Sequence, residues 1–141
     1  MRKVLSVLAL AAVAGLVTVS TAVPASALTG TEQLGCYVTP SPTQPSPVPK
    51  FCGNRMGATS YTAVFQVLNE SGAYSYAWSV PAGYTGNIAT GCTSTTDYCV
   101  LNDLAPTQVS VSVTISQAGQ SATLKATANI TPYCGNGPCR Q

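Results

Sequence analysis

"VSVSVTISQAGQSATLKATANI", residues 109–130, narrows the possible folds more than any other stretch of this chain. Val109, Val111, Val113 and Ile115 alternate with Ser110, Ser112, Thr114 and Ser116. Successive side chains of a strand point to opposite faces, so this pattern predicts a half-buried strand. "QAGQ" supplies a turn at Gly119, after which Leu124, Ala126, Ala128 and Ile130 alternate with Thr123, Lys125, Thr127 and Asn129. The two runs predict an antiparallel hairpin with Val109, Val111, Val113 and Ile115 facing a core and hydroxyls facing water.

The same period recurs upstream. "YSYAWSVPAG" sets Tyr74, Tyr76, Trp78 and Val80 on one face before Pro81 and Gly83 end the run. "TSYTAVFQVL" is a further β-rich stretch adjoining the turn residues "NESG". After the first 27 residues, helix formers are nowhere gathered at helical spacing. The expected fold class is therefore all-β, and short strands with frequent turns favour an antiparallel sandwich over a barrel.

The beginning of the chain reads as an export signal. Arg2 and Lys3 precede an apolar run from Val4 to Val19, and Ala25-Ser26-Ala27 forms a small-residue cleavage site, placing cleavage after Ala27. Lipidation at Cys36 is disfavoured, since it would leave five cysteines in an oxidising compartment. Without the leader, Lys50, Arg55, Lys125 and Arg140 balance Glu32, Glu70, Asp97 and Asp103, so the remaining chain is neutral. Nucleic acid and anionic membranes lose their electrostatic warrant. A surface solvated by Ser, Thr, Asn, Gln and Gly suits an extracellular location and neutral polymers as partners. A monomer is assumed.

Six cysteines behind such a leader imply three disulfides. The absence of histidine makes a zinc site a poor alternative. Local pairing is the simplest scheme. "CTSTTDYC" closes a small loop between Cys92 and Cys99, and "CGNGPC" brings Cys134 to Cys139 through strong turn residues. Cys36 then pairs with Cys52. A competing scheme ties Cys36 or Cys52 to the tail cysteines and fastens both ends of the fold.

Between Cys36 and Cys52 lies "YVTPSPTQPSPVPKF". As a polyproline II rod at ~3.1 Å per residue it would span about 46 Å. A disulfide needs α-carbons about 5.5 Å apart, so a Cys36–Cys52 bridge forces the segment back on itself near Thr43 and Gln44. The result is either a spacer leading into the domain or a preorganised recognition loop offering Thr43, Gln44 and Lys50. The domain plan is thus a leader at 1–27, a proline-rich segment at 28–57, a β-sandwich at 58–133 and a disulfide turn at 134–141.

"YSYAWSVPAG", "IATGC" and "LAPTQVSVSVTIS" together resemble the PKD-like and related bacterial immunoglobulin-like domains. The resemblance covers roughly residues 58–131 and implies a seven-strand sandwich with Trp78 in the core. It implies no catalytic residue and no cofactor, and points to adhesive, spacer or polymer-binding modules. This chain departs from that pattern in its six cysteines and in carrying no enzyme for such a module to accompany.

Catalysis is not expected. Histidine, the usual general base and the commonest metal ligand, is missing, and disulfide cysteines cannot act as thiolates. Asp97 and Asp103 read as turn aspartates rather than a glycosidase pair. Tyr84, in "PAGYTGN", is the expected exposed contact. The functional expectation is a secreted, non-catalytic binding or adhesive module for an extracellular polysaccharide or protein. The rivals are an inhibitor of an extracellular hydrolase presenting Lys50, a small-molecule carrier, and a structural envelope protein.

Overall fold

A computed structural model describes residues 27–43 and 45–133. Gln44, residues 1–26 of the proposed leader and the proposed Cys134–Cys139 turn lie outside them. Nine strands follow in order: β1 (Gln33–Thr39), β2 (Val48–Pro49), β3 (Phe51–Gly53), β4 (Tyr61–Leu68), β5 (Ser75–Ser79), β6 (Ile88–Gly91), β7 (Tyr98–Leu104), β8 (Thr107–Gln117) and β9 (Gln120–Ile130). A 3₁₀ turn, Ala82–Asn87, separates β5 from β6. The chain is therefore all-β, in two sheets ordered β2-β1-β4-β7-β6 and β3-β9-β8-β5.

The β8–β9 hairpin forms because every local signal agrees. Ala118 and Gly119 both take positive φ (51° and 79°), as the tight hairpin turn between Gln117 and Gln120 requires. Val109, Val111, Val113 and Ile115 are at most 1 % exposed. Across the ladder they face Ala128, Ala126, Leu124 and Ala122, so a branched side chain meets a smaller one at three of four rungs. On the other face Ser110 bonds Thr127 (2.7 Å) and Thr114 bonds Thr123 (2.9 Å), hydroxyl to hydroxyl across the strands.

β4 supplies the opposing wall through the same period, burying Tyr61, Ala63, Phe65 and Val67. Leu34, Cys36 and Val38 of β1 and Cys99, Leu101 and Leu104 of β7 complete one apolar core shared by both sheets. The Tyr61 hydroxyl is buried with its residue and accepts the Ala58 N–H (2.9 Å), so the ring contributes apolar area without an orphaned polar atom.

Two expectations need correction. The segment 28–57 does not stand apart from the β domain. β1 lies between β2 and β4 in the first sheet, while β3 belongs to the second. Trp78 is not at the centre of the core. It lies on β5, an edge strand, half-buried, with its indole N–H donated to the Thr96 carbonyl (3.0 Å). A strand at the edge has neighbours on one side only, so its large side chains close the rim. Tyr61 and Phe65, on an interior strand, fill the middle.

Candidate functional site

The site is built where the chain changes sheets. It leaves β1 through a cis Thr39–Pro40 bond, runs through the proline-rich loop and returns as β2, antiparallel to β1. At Lys50 (φ 68°) the backbone swivels. The Lys50 N–H donates to Leu34 O of β1 (3.0 Å), while the Lys50 carbonyl accepts the Thr127 N–H of β9 (2.8 Å). One residue thus hydrogen-bonds both sheets. β3 then runs parallel to β9, pairing Phe51, Cys52 and Gly53 with Thr127, Ala128 and Asn129.

Cys36 and Cys52 are disulfide-bonded, with α-carbons 5.6 Å apart. Because Cys36 is on β1 and Cys52 on β3, the bond joins the two sheets rather than merely closing a loop. Cys92 and Cys99 form the second bond, from the end of β6 to β7 (4.3 Å between α-carbons). There Gly91 takes φ 74°, and a Cβ would overlap the Tyr98 carbonyl. The loop so closed reaches across to the other sheet. The Tyr76 N–H donates to Ser94 O (3.1 Å), and Thr96 O receives the Trp78 indole. That edge of the molecule is closed.

The opposite edge is open. A cleft of about 630 Å³ lies between the proline loop and the β3–β9 pair. Cys36 and Cys52 line it, with Tyr37 and Val38 on one side and Phe51 and Gly53 on the other. Ser41, Thr43 and Ser46 contribute hydroxyls from the loop, and Gln108 and Asn129 contribute amides from the hairpin. Phe51 is 68 % exposed and Val48 48 %, so two of the largest exposed apolar side chains sit on this rim. Arg55 also lines the cleft, and among the described residues no carboxylate does. Asn54 is committed to structure: its amide donates to Thr131 O (2.9 Å) and its carbonyl accepts the Thr131 N–H (2.9 Å).

The acidic groups lie elsewhere. Glu32, just before β1, accepts the Thr29 N–H (2.8 Å) and the Tyr74 hydroxyl (2.9 Å). The Thr29 N–H foremost holds its carboxyl down to about 2. Glu70 accepts the Tyr76 hydroxyl (2.6 Å), and burial pushes both the Glu70 carboxyl and the Tyr76 phenol up. Asp97 accepts from Gln66 (3.1 Å) and Asp103 from Ser60 (3.4 Å). Asp97 immediately precedes β7 and Asp103 is its penultimate residue, roughly 20 Å along the strand at ~3.3 Å per residue. A glycosidase pair needs about 5–9.5 Å, so these two carboxylates cannot act together.

Of the residues singled out in the sequence, Thr43 lines the cleft, whereas Gln44 lies outside the described residues. Lys50 is exposed, but its backbone holds the sheet switch. Tyr84 is not an exposed contact. It is half-buried against the core, and its hydroxyl bonds the Thr107 hydroxyl at 2.6 Å, because the 3₁₀ turn folds the glycine-rich loop inward. Sequence reasoning missed Phe51, Val38, Arg55, Gln108 and Asn129. Only the isolated aromatic beside Cys52 hinted at them.

No family model, no curated protein and no solved structure matches this chain. Among the described residues no helix is long and apolar enough to cross a membrane. The two disulfides are consistent with an oxidising, extracellular location.

Proposed function

We propose that the protein is a secreted, non-catalytic binding module of immunoglobulin-like type, released from an N-terminal leader, and that its ligand seats in the cleft beside the proline loop. One observation carries this reading: a cleft of about 630 Å³ is bounded by strands from both sheets that are covalently fixed to each other by Cys36–Cys52. Such a site is preorganised, so a ligand meets little ordering cost on binding. The combination of aromatic rings, hydroxyls and amides suits an extracellular polysaccharide or a protein segment.

The inhibitor reading loses ground. Lys50 would have to offer its peptide bond in extended form, yet its φ is 68° and its N–H and carbonyl are both hydrogen-bonded into the sheets.

The test is retention of the purified protein on insoluble cell-envelope polymer and on immobilised extracellular protein. Native protein is compared with a Val48→Asp/Phe51→Asp variant of unchanged thermal stability. Retention that falls at least about tenfold in the variant supports the cleft. Equal retention of the two proteins would move the binding surface elsewhere.

A further inference from the structure

The cleft borders the free edge of β3, and the backbone geometry there identifies what fits. Just before β3 the Lys50 carbonyl points to β9, where it accepts the Thr127 N–H. Across a trans peptide bond the following N–H points the opposite way, so the Phe51 N–H faces away from β9. Alternation along the strand turns the Phe51 carbonyl and the Gly53 N–H to the same open side. β3 is the last strand of its sheet, and among the described residues none of these groups has a partner.

On the facing side, the Leu34 carbonyl accepts the Lys50 N–H and so points towards β2. By the same alternation Cys36 and Val38 present their backbone groups in that direction. β2 ends opposite Cys36, so those of Val38 extend past it into the cleft.

Charge narrows the occupant. Lys50 and Arg55 flank β3, whereas Glu32, Glu70, Asp97 and Asp103 are all outside the cleft lining. Apolar Phe51 and Val48 stand exposed beside these cations. A saccharide would use the hydroxyls and amides but would leave the unpaired backbone groups of Phe51 and Gly53 unanswered.

Resting on the cleft as the ligand site, we infer that the ligand is an extended acidic peptide segment that adds to β3 as a further strand. Its backbone pairs with Phe51 and Gly53, an apolar side chain packs on Phe51, and a carboxylate meets Arg55. The phenylalanine at the rim and the single guanidinium set the side-chain preference, while the backbone pairing supplies sequence-tolerant affinity.

The test titrates the ¹⁵N-labelled full chain, disulfides intact, with a synthetic nonapeptide of alternating glutamate and valine. Parallel titrations use the same peptide N-methylated on alternate residues and polygalacturonate. The nonapeptide is expected to slow hydrogen exchange at the Phe51 and Gly53 amides at least about tenfold, and backbone methylation to abolish binding. Arg55→Glu weakens the peptide about tenfold, and Lys125→Glu, outside the cleft, leaves affinity within about twofold.

Two results overturn strand addition while leaving the cleft as the binding site. In one, polygalacturonate shifts the cleft resonances and the peptide does not. In the other, the peptide shifts them with exchange at Phe51 and Gly53 unchanged. Shifts confined to residues outside the cleft, or none with any probe, overturn both the strand addition and the cleft reading.

Discussion

Removing the two disulfides one at a time separates chain entropy from local packing, because the buried sulfur lost is matched. Each bond joins one fully buried sulfur residue, Cys36 or Cys99, to one half-buried residue, Cys52 or Cys92. Paired Cys→Ala substitutions therefore sacrifice comparable packing, and the difference between them reports loop closure. The sequence separations are 16 and 7. Loop entropy then gives about 3.1 kcal/mol for Cys36–Cys52 and about 2.4 kcal/mol for Cys92–Cys99 at 25 °C. For a domain of this size about 4 °C of Tm corresponds to 1 kcal/mol, so the expected losses are about 12 °C and about 9 °C. Both double variants, with the tail cysteines untouched, would be melted by calorimetry and unfolded in urea. Urea unfolding should also show a steeper dependence on denaturant as the unfolded chain expands. A larger loss from Cys92/Cys99 would refute the entropic ordering. It would mean that the contacts held by the 92–99 loop, Tyr76 to Ser94 and Trp78 to Thr96, outweigh the closure of the longer loop.

Glu32 sets an acid limit: its folded pKa is depressed to about 2 from 4.5, so its stabilisation is complete above 4.5 and is lost as pH falls towards 2. Glu32→Gln should flatten the fall of Tm between those values, and a parallel slope in both proteins would refute the assignment. Gly35→Ala should cost about 1–3 kcal/mol in urea unfolding, since a Cβ there would approach Leu68 Cδ1 to 2.7 Å and Pro47 Cβ to 3.0 Å. Phe65→Ala, at 0 % exposure on an interior strand, should cost about 3–5 kcal/mol and exceed Trp78→Ala on the edge strand, despite the larger indole. Tyr84→Phe removes one hydroxyl bond to Thr107 and should cost about 1 kcal/mol.

How much of this was legible depends on whether a residue's environment is local. The β8–β9 hairpin could be read in full because its alternation, its turn and its pairing partners lie within 24 residues of chain. β4 was visible through its own alternation, although its partners β1 and β7 lie elsewhere in the chain. β1 was not: its alternation of Leu34, Cys36 and Val38 is only three residues long, Gly35 weakens it as a strand, and the prolines after it suggest a linker. The glycine is there because Leu68 and Pro47 close over it, a contact made only in three dimensions. Tyr84 was misjudged through its glycine-rich surroundings, which speak of backbone freedom and not of the side chain's direction. The cleft itself had no sequence signature, since its walls come from β1 and β3 and, about 70 residues later in the chain (from residue 53 to 120), from β9.

The two edges of the fold are finished by different means, and the cleft lies at the β2–β3 edge. Open strand edges invite pairing with other chains, and natural proteins cover, shorten or charge them. At the β5–β6 edge the covering is done by the 92–99 loop, whose carbonyls take the Tyr76 N–H and the Trp78 indole. At the β2–β3 edge the chain spends only six residues, 48–53, on two short strands and a swivel at Lys50, and the sheets are held by a disulfide instead. A covalent bond fixes the separation of the sheets without filling the space between their edges. It therefore permits what a packed loop does not: a slot with backbone groups of β3 left without a partner among the described residues, flanked by Lys50 and Arg55 and far in the sequence from Asp97 and Asp103. In a chain this poor in charge, long-range steering contributes little, and the strand addition proposed at that edge would draw on shape and backbone pairing.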